Sequence, residues 1–403
     1  MAARNHSALF VLVTIFIDAI GFGLIMPVLP QLLMTVGRID LSHAIGIGAW
    51  MGLAMAVASF FSAPVLGNLS DAYGRRPVLL ASLGALALDY LLLAVAHTLP
   101  LVFIGRVLSG IFGGSYAPAM AAVADVSTPE DRAKTFGFVS AAFGIGFVLG
   151  PALGGLLGEM GPRAPFYAAS AMAAINVLYG LIVFPETLTP ERRRAFDWRR
   201  ANPLGAWQTA RAASGMLGVA VVLVLWQIAS LVYPLTWSFY AIAQLGWSPA
   251  MIGLSLAAVG VTIALSQIFL TGRAVKRFGE RDAATIGLVV AICGFIAYAL
   301  VQETWQAYAC MAFIAGQSFV QPSLMAMLSR RATPETQGEV QGISSMALGI
   351  GSIVAPLVLT APMAYFTSSA APVYFPGAAF VIAAVFGVGA LLVLRQLPRV
   401  QPV

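Results

Sequence analysis

Long apolar runs alternate with short polar or charged segments along nearly the whole chain. A helix needs about 20 mostly apolar residues to cross a bilayer, and the runs between charged, Pro-rich or Gly-rich interruptions reach this length twelve times. The pattern therefore predicts twelve membrane-spanning helices, at residues 8–36, 44–69, 77–97, 99–124, 133–158, 164–184, 214–240, 249–271, 283–302, 305–328, 338–364 and 373–395.

Composition excludes a water-soluble fold. Hydrophobic residues make up 60% of the chain and charged residues only 9%, whereas soluble domains carry about 25% charged residues. A surface facing water could not be covered by so few charges, so membrane lipids are predicted partners. The excess of positive charge reflects topology and contact with anionic lipids, and nucleic acid is not a predicted partner.

The positions of Lys and Arg orient the predicted bundle, because basic residues near the ends of spans stay on the cytoplasmic side. With twelve spans, Arg106 lies inside a span and Arg38 and Arg163 fall in outward loops. All other Lys and Arg residues fall in inward segments. Both termini are therefore predicted to be cytoplasmic.

An internal repeat divides the chain. Thr128-Pro129-Glu130 reappears as Thr333-Pro334-Glu335, and Gly144-Ile145-Gly146 reappears at the same displacement as Gly349-Ile350-Gly351. A constant displacement across loops and spans indicates two related halves in parallel orientation. The predicted domains are an N-terminal six-helix half at 1–184, a cytoplasmic linker at 185–213 and a C-terminal six-helix half at 214–403.

Three ionisable residues lie deep in predicted spans, where they are costly and usually functional. Asp18 stands in an apolar stretch that favours its neutral form, so it either loads and releases protons or stays protonated permanently. Arg106 cannot discharge and needs a partner, for which Asp89 is the candidate. The two form either a fixed structural ion pair or a pair that protonation opens. Asp18, Asp89 and Arg106 are the predicted proton-coupling residues.

The inward loop between predicted spans 2 and 3 carries a second cluster. Asp71 can interact with the N-terminus of a neighbouring helix, Gly74 permits a tight turn, and Arg75 and Arg76 can anchor carboxylates such as that of Asp125. The spacing favours a latch that stabilises one conformation. The predicted latch residues are Gly67, Asp71, Gly74, Arg75, Arg76 and Asp125.

Several of these segments resemble a known family. Residues 67–77 resemble the loop motif of the major facilitator superfamily, and residues 144–155 resemble its antiporter motif. Residues 18–30, 88–94 and 105–110 resemble the tetracycline/proton antiporters of that superfamily. The resemblance implies proton-driven export and supports functional roles for Asp18, Asp89 and Arg106. The predicted antiporter-motif residues are Gly146, Gly150, Pro151, Gly154 and Gly155, whose small side chains allow close helix packing while proline favours a bend.

The second half has no deep acidic residue but is rich in amides and aromatic rings. Such side chains suit a lipophilic, aromatic solute. The predicted substrate-binding residues are Gln227, Gln317, Gln321, Trp226, Trp237 and Phe239. The tetracycline antiporters carry an acidic residue where this chain has Ala291, so tetracycline is not expected to be the preferred substrate.

These features predict a proton-coupled secondary transporter in a bacterial inner membrane, an antiporter that exports a drug-like molecule as a monomer. The solute and protons are its predicted partners. Two alternatives stay open: an uptake symporter or uniporter for a metabolite, and a receptor or scaffold that has lost transport. No nucleophile–base pair, metal-ligand cluster or phosphate-binding loop is evident, so the chain is not predicted to be an enzyme, and neither a metal nor a cofactor is expected.

Overall fold

The computed structural model describes residues 2–113, 116–128, 131–198, 216–331 and 337–398, and these residues form helices and short connections without a β-strand. Residues 199–213 of the predicted linker lie outside the described residues. The α-helices are α1 Ala2–Ile25, α2 Leu29–Gly37, α3 Leu41–Tyr73, α4 Arg75–Val95, α5 Leu99–Phe112, α6 Tyr116–Val126, α7 Arg132–Gly158, α8 Ala164–Val183, α9 Met216–Ser230, α10 Val232–Leu245, α11 Pro249–Ser266, α12 Gly272–Phe278, α13 Glu280–Ala299, α14 Thr304–Gln317, α15 Val320–Ser329, α16 Gln337–Phe366 and α17 Ala378–Gln396.

Among the described residues, 11 helices are long and apolar enough to cross a membrane, or 12 if the bent pair at the N-terminus counts as one span. Their outward surfaces are apolar: Ile182 is 85% exposed and Leu88 is 69% exposed, while Asp89 is only 1% exposed. This distribution is the reverse of that in a soluble protein. It confirms an all-helical membrane protein.

The first predicted span is not one straight helix. It is divided into α1 and α2, which meet at an angle of 51°. Pro27 causes the break, because proline lacks an N–H group and disfavours helical backbone in the residue before it. The N–H groups of Met26 and Val28 instead bond to carbonyls three residues back, at Gly23 and Ile25.

Two other predicted spans contain irregular turns. The span at 214–240 comprises α9 and α10, with the break close to Pro234. The span at 249–271 continues from α11 through a π-helical turn at Gln267–Thr271 into α12. Pro151 and Pro356, in contrast, are accommodated within the continuous helices α7 and α16.

The chain forms two compact units. The first comprises Met1–Ile39, Ala54–Asn202 and Trp247–Gly260. In it α1 packs against α7 and α8, and α4 packs against α8 and α5. Glu159, directly after α7, accepts a hydrogen bond from the N–H of Ala250 at the start of α11, at 3.0 Å.

The second unit comprises Asp40–Leu53, Pro203–Gly246 and Val261–Val403. In it α9 packs against α16 and α17, and α13 packs against α17, α14 and α15. Its core is aromatic. Tyr240, Tyr298 and Phe380 are fully buried, and the ring centroids of Tyr298 and Phe380 are 5.4 Å apart.

Candidate functional site

Asp89 and Arg106 lie on two helices that approach closely. Gly105 makes this approach possible, because a Cβ atom at residue 105 would lie 2.6 Å from the side chain of Leu93 and 3.0 Å from Oδ1 of Asp89. Asp89 on α4 and Arg106 on α5 are both buried, at 1% and 7% exposure. The structure therefore brings these two predicted residues together inside the first unit.

Ser109 stands between the two charged groups. Its hydroxyl donates a hydrogen bond to Oδ2 of Asp89 and accepts one from Nη2 of Arg106 at 3.1 Å. The described side chains show no direct ion pair between Asp89 and Arg106. The predicted partnership is thus made through a serine that the sequence prediction left out. A serine at i+3 from the buried arginine was the available signal, because that spacing places both on one helix face.

Asp18 lies on α1 and is partly buried. Tyr90 lies close enough to interact electrostatically with Asp18, Asp89 and Arg106. A Cβ atom at Gly21 would lie 3.3 Å from the hydroxyl of Tyr90. Tyr90 therefore lies near both predicted acidic positions in this unit.

The antiporter-motif residues hold α7 against α1. Cβ atoms at Gly146 and Gly150 would lie 2.6 Å and 2.7 Å from the carbonyl oxygens of Phe16 and Ile20, and one at Gly154 would overlap the backbone of Leu24. The spacing of four residues on both helices places all three contacts on one stripe. The helix that carries Asp18 is thus packed backbone to backbone, which only small residues permit. Pro151 and Gly155 also lie in tight contacts: Pro151 packs beside Gly23, and a Cβ at Gly155 would overlap the carbonyl of Pro249.

The loop between α3 and α4 is centred on Arg75. Its guanidinium contacts Asp71 at 2.5 Å and Asp125 of α6 at 3.1 Å. It also donates to the hydroxyl of Ser70 at 2.7 Å, and that hydroxyl donates to the carbonyl of Gly67. Arg75 therefore joins the ends of three helices. Among the described residues the Arg76 side chain makes no ion pair with a carboxylate; it donates to the carbonyl of Leu181 at 2.7 Å.

Glu186, which the sequence prediction did not single out, caps α4. Its carboxylate accepts hydrogen bonds from the N–H groups of Arg75 at 2.8 Å and Arg76 at 3.2 Å. It lies against Gly74, whose φ of 108° is a conformation that residues with a Cβ rarely adopt. The role predicted for Asp71, contact with a helix N-terminus, is thus performed by Glu186. The signal was an acidic residue directly after span 6, but its partner is more than a hundred residues away.

The second unit carries an ion pair in which the acidic and the basic positions are exchanged relative to the first unit. Glu280 at the start of α13 pairs with Arg330 after α15 at 2.7 Å. Under the displacement of the sequence repeat, Glu280 corresponds to Arg75 and Arg330 corresponds to Asp125. The same two helix ends are therefore joined in both units, with the acid and the base exchanged.

The predicted substrate-binding residues do not form one surface. Trp226, Trp237 and Phe239 are buried within the second unit, and Gln321 is exposed. Gln227 is half-buried and donates to the hydroxyl of Ser352 at 3.2 Å.

Gln317 differs from the other five residues in this set. It is 8% exposed, and its Oε1 has no hydrogen-bond partner among the described residues. Tyr233, beside it, hydrogen-bonds with the Gln317 side chain. Gln317 therefore retains one acceptor atom, Oε1, without a partner among the described residues.

Ala291 is fully buried on α13, so a carboxyl introduced there would be enclosed by helices of the second unit. Within the described residues there is no group of three or more His, Cys, Asp or Glu side chains that could hold a metal ion.

Comparison with known proteins gives consistent results. The family model of the Major Facilitator Superfamily matches residues 11–356 and 216–403. The chain is 38% identical to the class C tetracycline resistance protein of Escherichia coli over 97% of each chain. It is 36% identical to the class G protein of Vibrio anguillarum, over 89% of this chain and 90% of that one. It is 27% identical to multidrug resistance protein 2 of Bacillus subtilis, over 86% of each.

Among solved structures, a bacterial homologue of the human lysosomal transporter Spinster superposes with a TM-score of 0.79. It covers 98% of each chain at 16% identity. The human organic anion transporter MFSD10 superposes with a TM-score of 0.69, covering 97% of this chain and 99% of that one at 24% identity. These likenesses concern the fold.

Proposed function

The chain belongs to the Major Facilitator Superfamily, and we propose that it is a proton-coupled antiporter that exports a lipophilic aromatic molecule. Members of this family are transporters and not enzymes, and the chain is a multi-pass protein of the bacterial inner membrane. Relatives named for tetracycline and multidrug resistance support export of a drug-like solute.

The observation that carries the proposal is the group of ionisable residues within the spans of the first unit. Asp18 can hold the transported proton, and Asp89 and Arg106 are joined by hydrogen bonds through Ser109. The described spans of the second unit carry charged residues only near their ends. Ionisable groups this deep are costly, and a receptor or scaffold without transport would gain nothing from them.

The proposed architecture is two parallel six-helix repeats, acting as a monomer with both termini in the cytoplasm. The packing of the units supports it, since α1 pairs with α7 as α9 pairs with α16. At single residues, Gly146 packs on Ala19 as Gly351 packs on the carbonyl of Val224, and these positions share the displacement of the repeat. Alternating access then requires a latch, for which the Arg75 cluster and its Glu186 cap are the candidates on the cytoplasmic side.

We propose that the residues that bind the solute lie in the second unit. Gln317 offers an acceptor atom without a partner among the described residues, beside the rings of Tyr233 and Phe295, which suits a flat aromatic solute that also hydrogen-bonds. We place tetracycline itself among weak substrates, because Ala291 removes the acidic partner that a tetracycline–metal chelate would be expected to need. Because relatives of this chain are named for tetracycline resistance, tetracycline is the first compound to test.

Transport into inverted membrane vesicles tests the proposal. Ethidium and tetracycline should accumulate when a proton gradient is imposed, ethidium more strongly, and a protonophore should abolish accumulation. The matched control is the Asp18→Asn protein at equal expression. Accumulation in right-side-out vesicles instead would indicate an importer, and gradient-independent behaviour of every aromatic drug in a panel would refute coupled export.

A further inference from the structure

Ser109 on α5 is bonded to the two charged groups Asp89 and Arg106. It is 6% exposed, and its single hydroxyl makes hydrogen bonds to both charged groups of the buried cluster. Oδ1 of Asp89 and Nε of Arg106 are buried and have no partner among the described residues. The hydroxyl therefore links an acid and a base that make no direct ion pair among the described residues.

A hydroxyl can reverse the direction of its hydrogen bonds. It has one proton to donate and two lone pairs to accept with. While Asp89 is ionised, the Ser109 proton points to Oδ2 and a lone pair faces Arg106. When Asp89 takes up a proton, the carboxylic acid can donate to the serine oxygen instead. The serine keeps its own proton and turns it to another acceptor, as serines in helices do toward the carbonyl four residues earlier, here that of Gly105.

We propose that Ser109 is a positioning residue that transmits the protonation state of Asp89 to Arg106. In the ionised state its oxygen is a strong acceptor for Arg106, since its own proton is engaged by a carboxylate. In the protonated state the oxygen accepts from two donors, and the bond to Arg106 weakens. The guanidinium is then released to another acceptor. This inference rests on the proposed function only in taking Asp89 to exchange protons during the transport cycle.

Side chains from the neighbouring helices do not interrupt the hydrogen bonds from Asp89 through Ser109 to Arg106. From α8, Ser170 faces α4 but donates to the carbonyl of Ala87 at 2.8 Å. From α1, Asp18 interacts with Tyr90. On α5, Arg106 is the charged group that faces Asp89. Asp89 therefore responds to pH in contact with Arg106 and Ser109.

Three variants test the inference in proteoliposomes: Ser109→Ala, Ser109→Thr and, as matched control, Ser82→Ala. Ser82 is an equally buried serine on α4, at 1% exposure, and lies outside the cluster. Ser109→Ala should keep downhill exchange of ethidium but lose about tenfold in gradient-driven transport, the rate equivalent of one hydrogen bond to a charged group. It should also lose the pH dependence of the exchange rate. Ser109→Thr, which retains a hydroxyl, should restore both.

A second readout does not depend on transport. The infrared band of the Asp89 carboxyl, identified by subtracting the spectrum of Asp89→Asn, should shift in Ser109→Ala and stay in place in Ser82→Ala. If unmodified protein fails to move ethidium but the band shifts, the proposed function fails for this probe while the inference stands. An unshifted band, or gradient-driven transport in Ser109→Ala equal to that in Ser82→Ala, would overturn it.

Discussion

Replacing Gly150 by alanine should force apart the two helices that hold Asp18 in place. The new Cβ atom would lie 2.7 Å from the carbonyl oxygen of Ile20 and 2.9 Å from the Cα of Gly23, whereas ordinary contacts begin at 3.4 Å. Both neighbours are backbone atoms and cannot rotate away. The helices α1 and α7 must therefore separate, and such overpacking costs about 1–3 kcal/mol.

Gly144→Ala is the matched control, because residue 144 lies on the same helix and a Cβ there would meet nothing within 4 Å. Both variants gain the same helix propensity, about 1 kcal/mol for alanine over glycine. The difference between them therefore isolates the clash. Thermal unfolding in detergent should place Gly150→Ala below Gly144→Ala by an amount that corresponds to about 1–3 kcal/mol.

Transport should follow the same order, since the displaced helix carries Asp18 two residues before Ile20. Gly150→Ala should transport ethidium more slowly than Gly144→Ala in vesicles that contain equal amounts of protein. Equal unfolding temperatures for the two variants would refute the reasoning, because they would mean that α1 and α7 do not approach as closely as the structure shows.

Four further outcomes are expected. Asp18→Asn should express normally but lose uphill transport in proteoliposomes, because an amide cannot release a proton. Glu186→Gln should lower the unfolding temperature by the equivalent of about 1 kcal/mol, since a helix N-terminus loses its charged cap. Exchanging the charges of Glu280 and Arg330 singly should cost less than about 1 kcal/mol, because Arg330 is 64% exposed, and exchanging both should restore the unfolding temperature. The N–H of Ala250, followed by the Ser248 side chain, lowers the pKa of Glu159 below its ordinary 4.5, so its contribution to stability should be complete above that pH and vanish as the pH falls through the lowered value.

Each of these has its own control. Unchanged uphill transport in Asp18→Asn would remove that residue from coupling. For the cap, Glu191→Gln changes a carboxyl on the same segment whose recorded hydrogen-bond partners are its own backbone and Thr189, and it should lower the unfolding temperature less than Glu186→Gln does. For the ion pair, additive losses in the double exchange would show that the residues do not interact. For Glu159, the Glu159→Gln protein should show a smaller loss of stability between neutral and acidic pH than the unmodified protein.

The sequence was sufficient to predict the membrane class because hydropathy and helix length are local properties. The ionisable residues within the spans were equally visible, since Asp18, Asp89 and Arg106 each interrupt an apolar run. The bend at Pro27 was within reach of the sequence too, but the length of the run from 8 to 36 favoured a single helix. Local signals of this kind determine where the helices lie and which residues within them are energetically costly to bury.

Partnerships across the fold could not be predicted in the same way. Ser109 is a small polar residue in a helix, and its importance depends on Asp89 lying on the neighbouring helix at the right height. Glu186 and the start of α4 are separated by 111 residues. No local sequence signal in either segment identifies the other as its partner. Asp71 was the nearer acid and therefore the natural expectation for the cap. Its side chain is instead engaged by Arg75 one helical turn away.

Corresponding positions of the repeat form different helix contacts in the two units. In the first unit Gly146, Gly150 and Gly154 press α7 against the backbone of the helix that carries Asp18. At the corresponding positions of the second unit Gly351 is retained, while the next two are the buried Ala355 and Leu359. At Gly351 a side chain therefore lies between α16 and α9.

Gln227 is that side chain, and it lies against Gly351 while donating to Ser352. A helix held backbone to backbone keeps an ionisable group at a fixed depth, which proton exchange requires. A contact made through side chains can repack around different molecules, as a site for varied aromatic solutes requires. If this division is correct, Gly351→Ala should alter which aromatic drugs are exported, and Gly150→Ala should lower the rate for all of them in equal proportion. Parallel losses across a drug panel in both variants would show that the two units do not divide the work in this way.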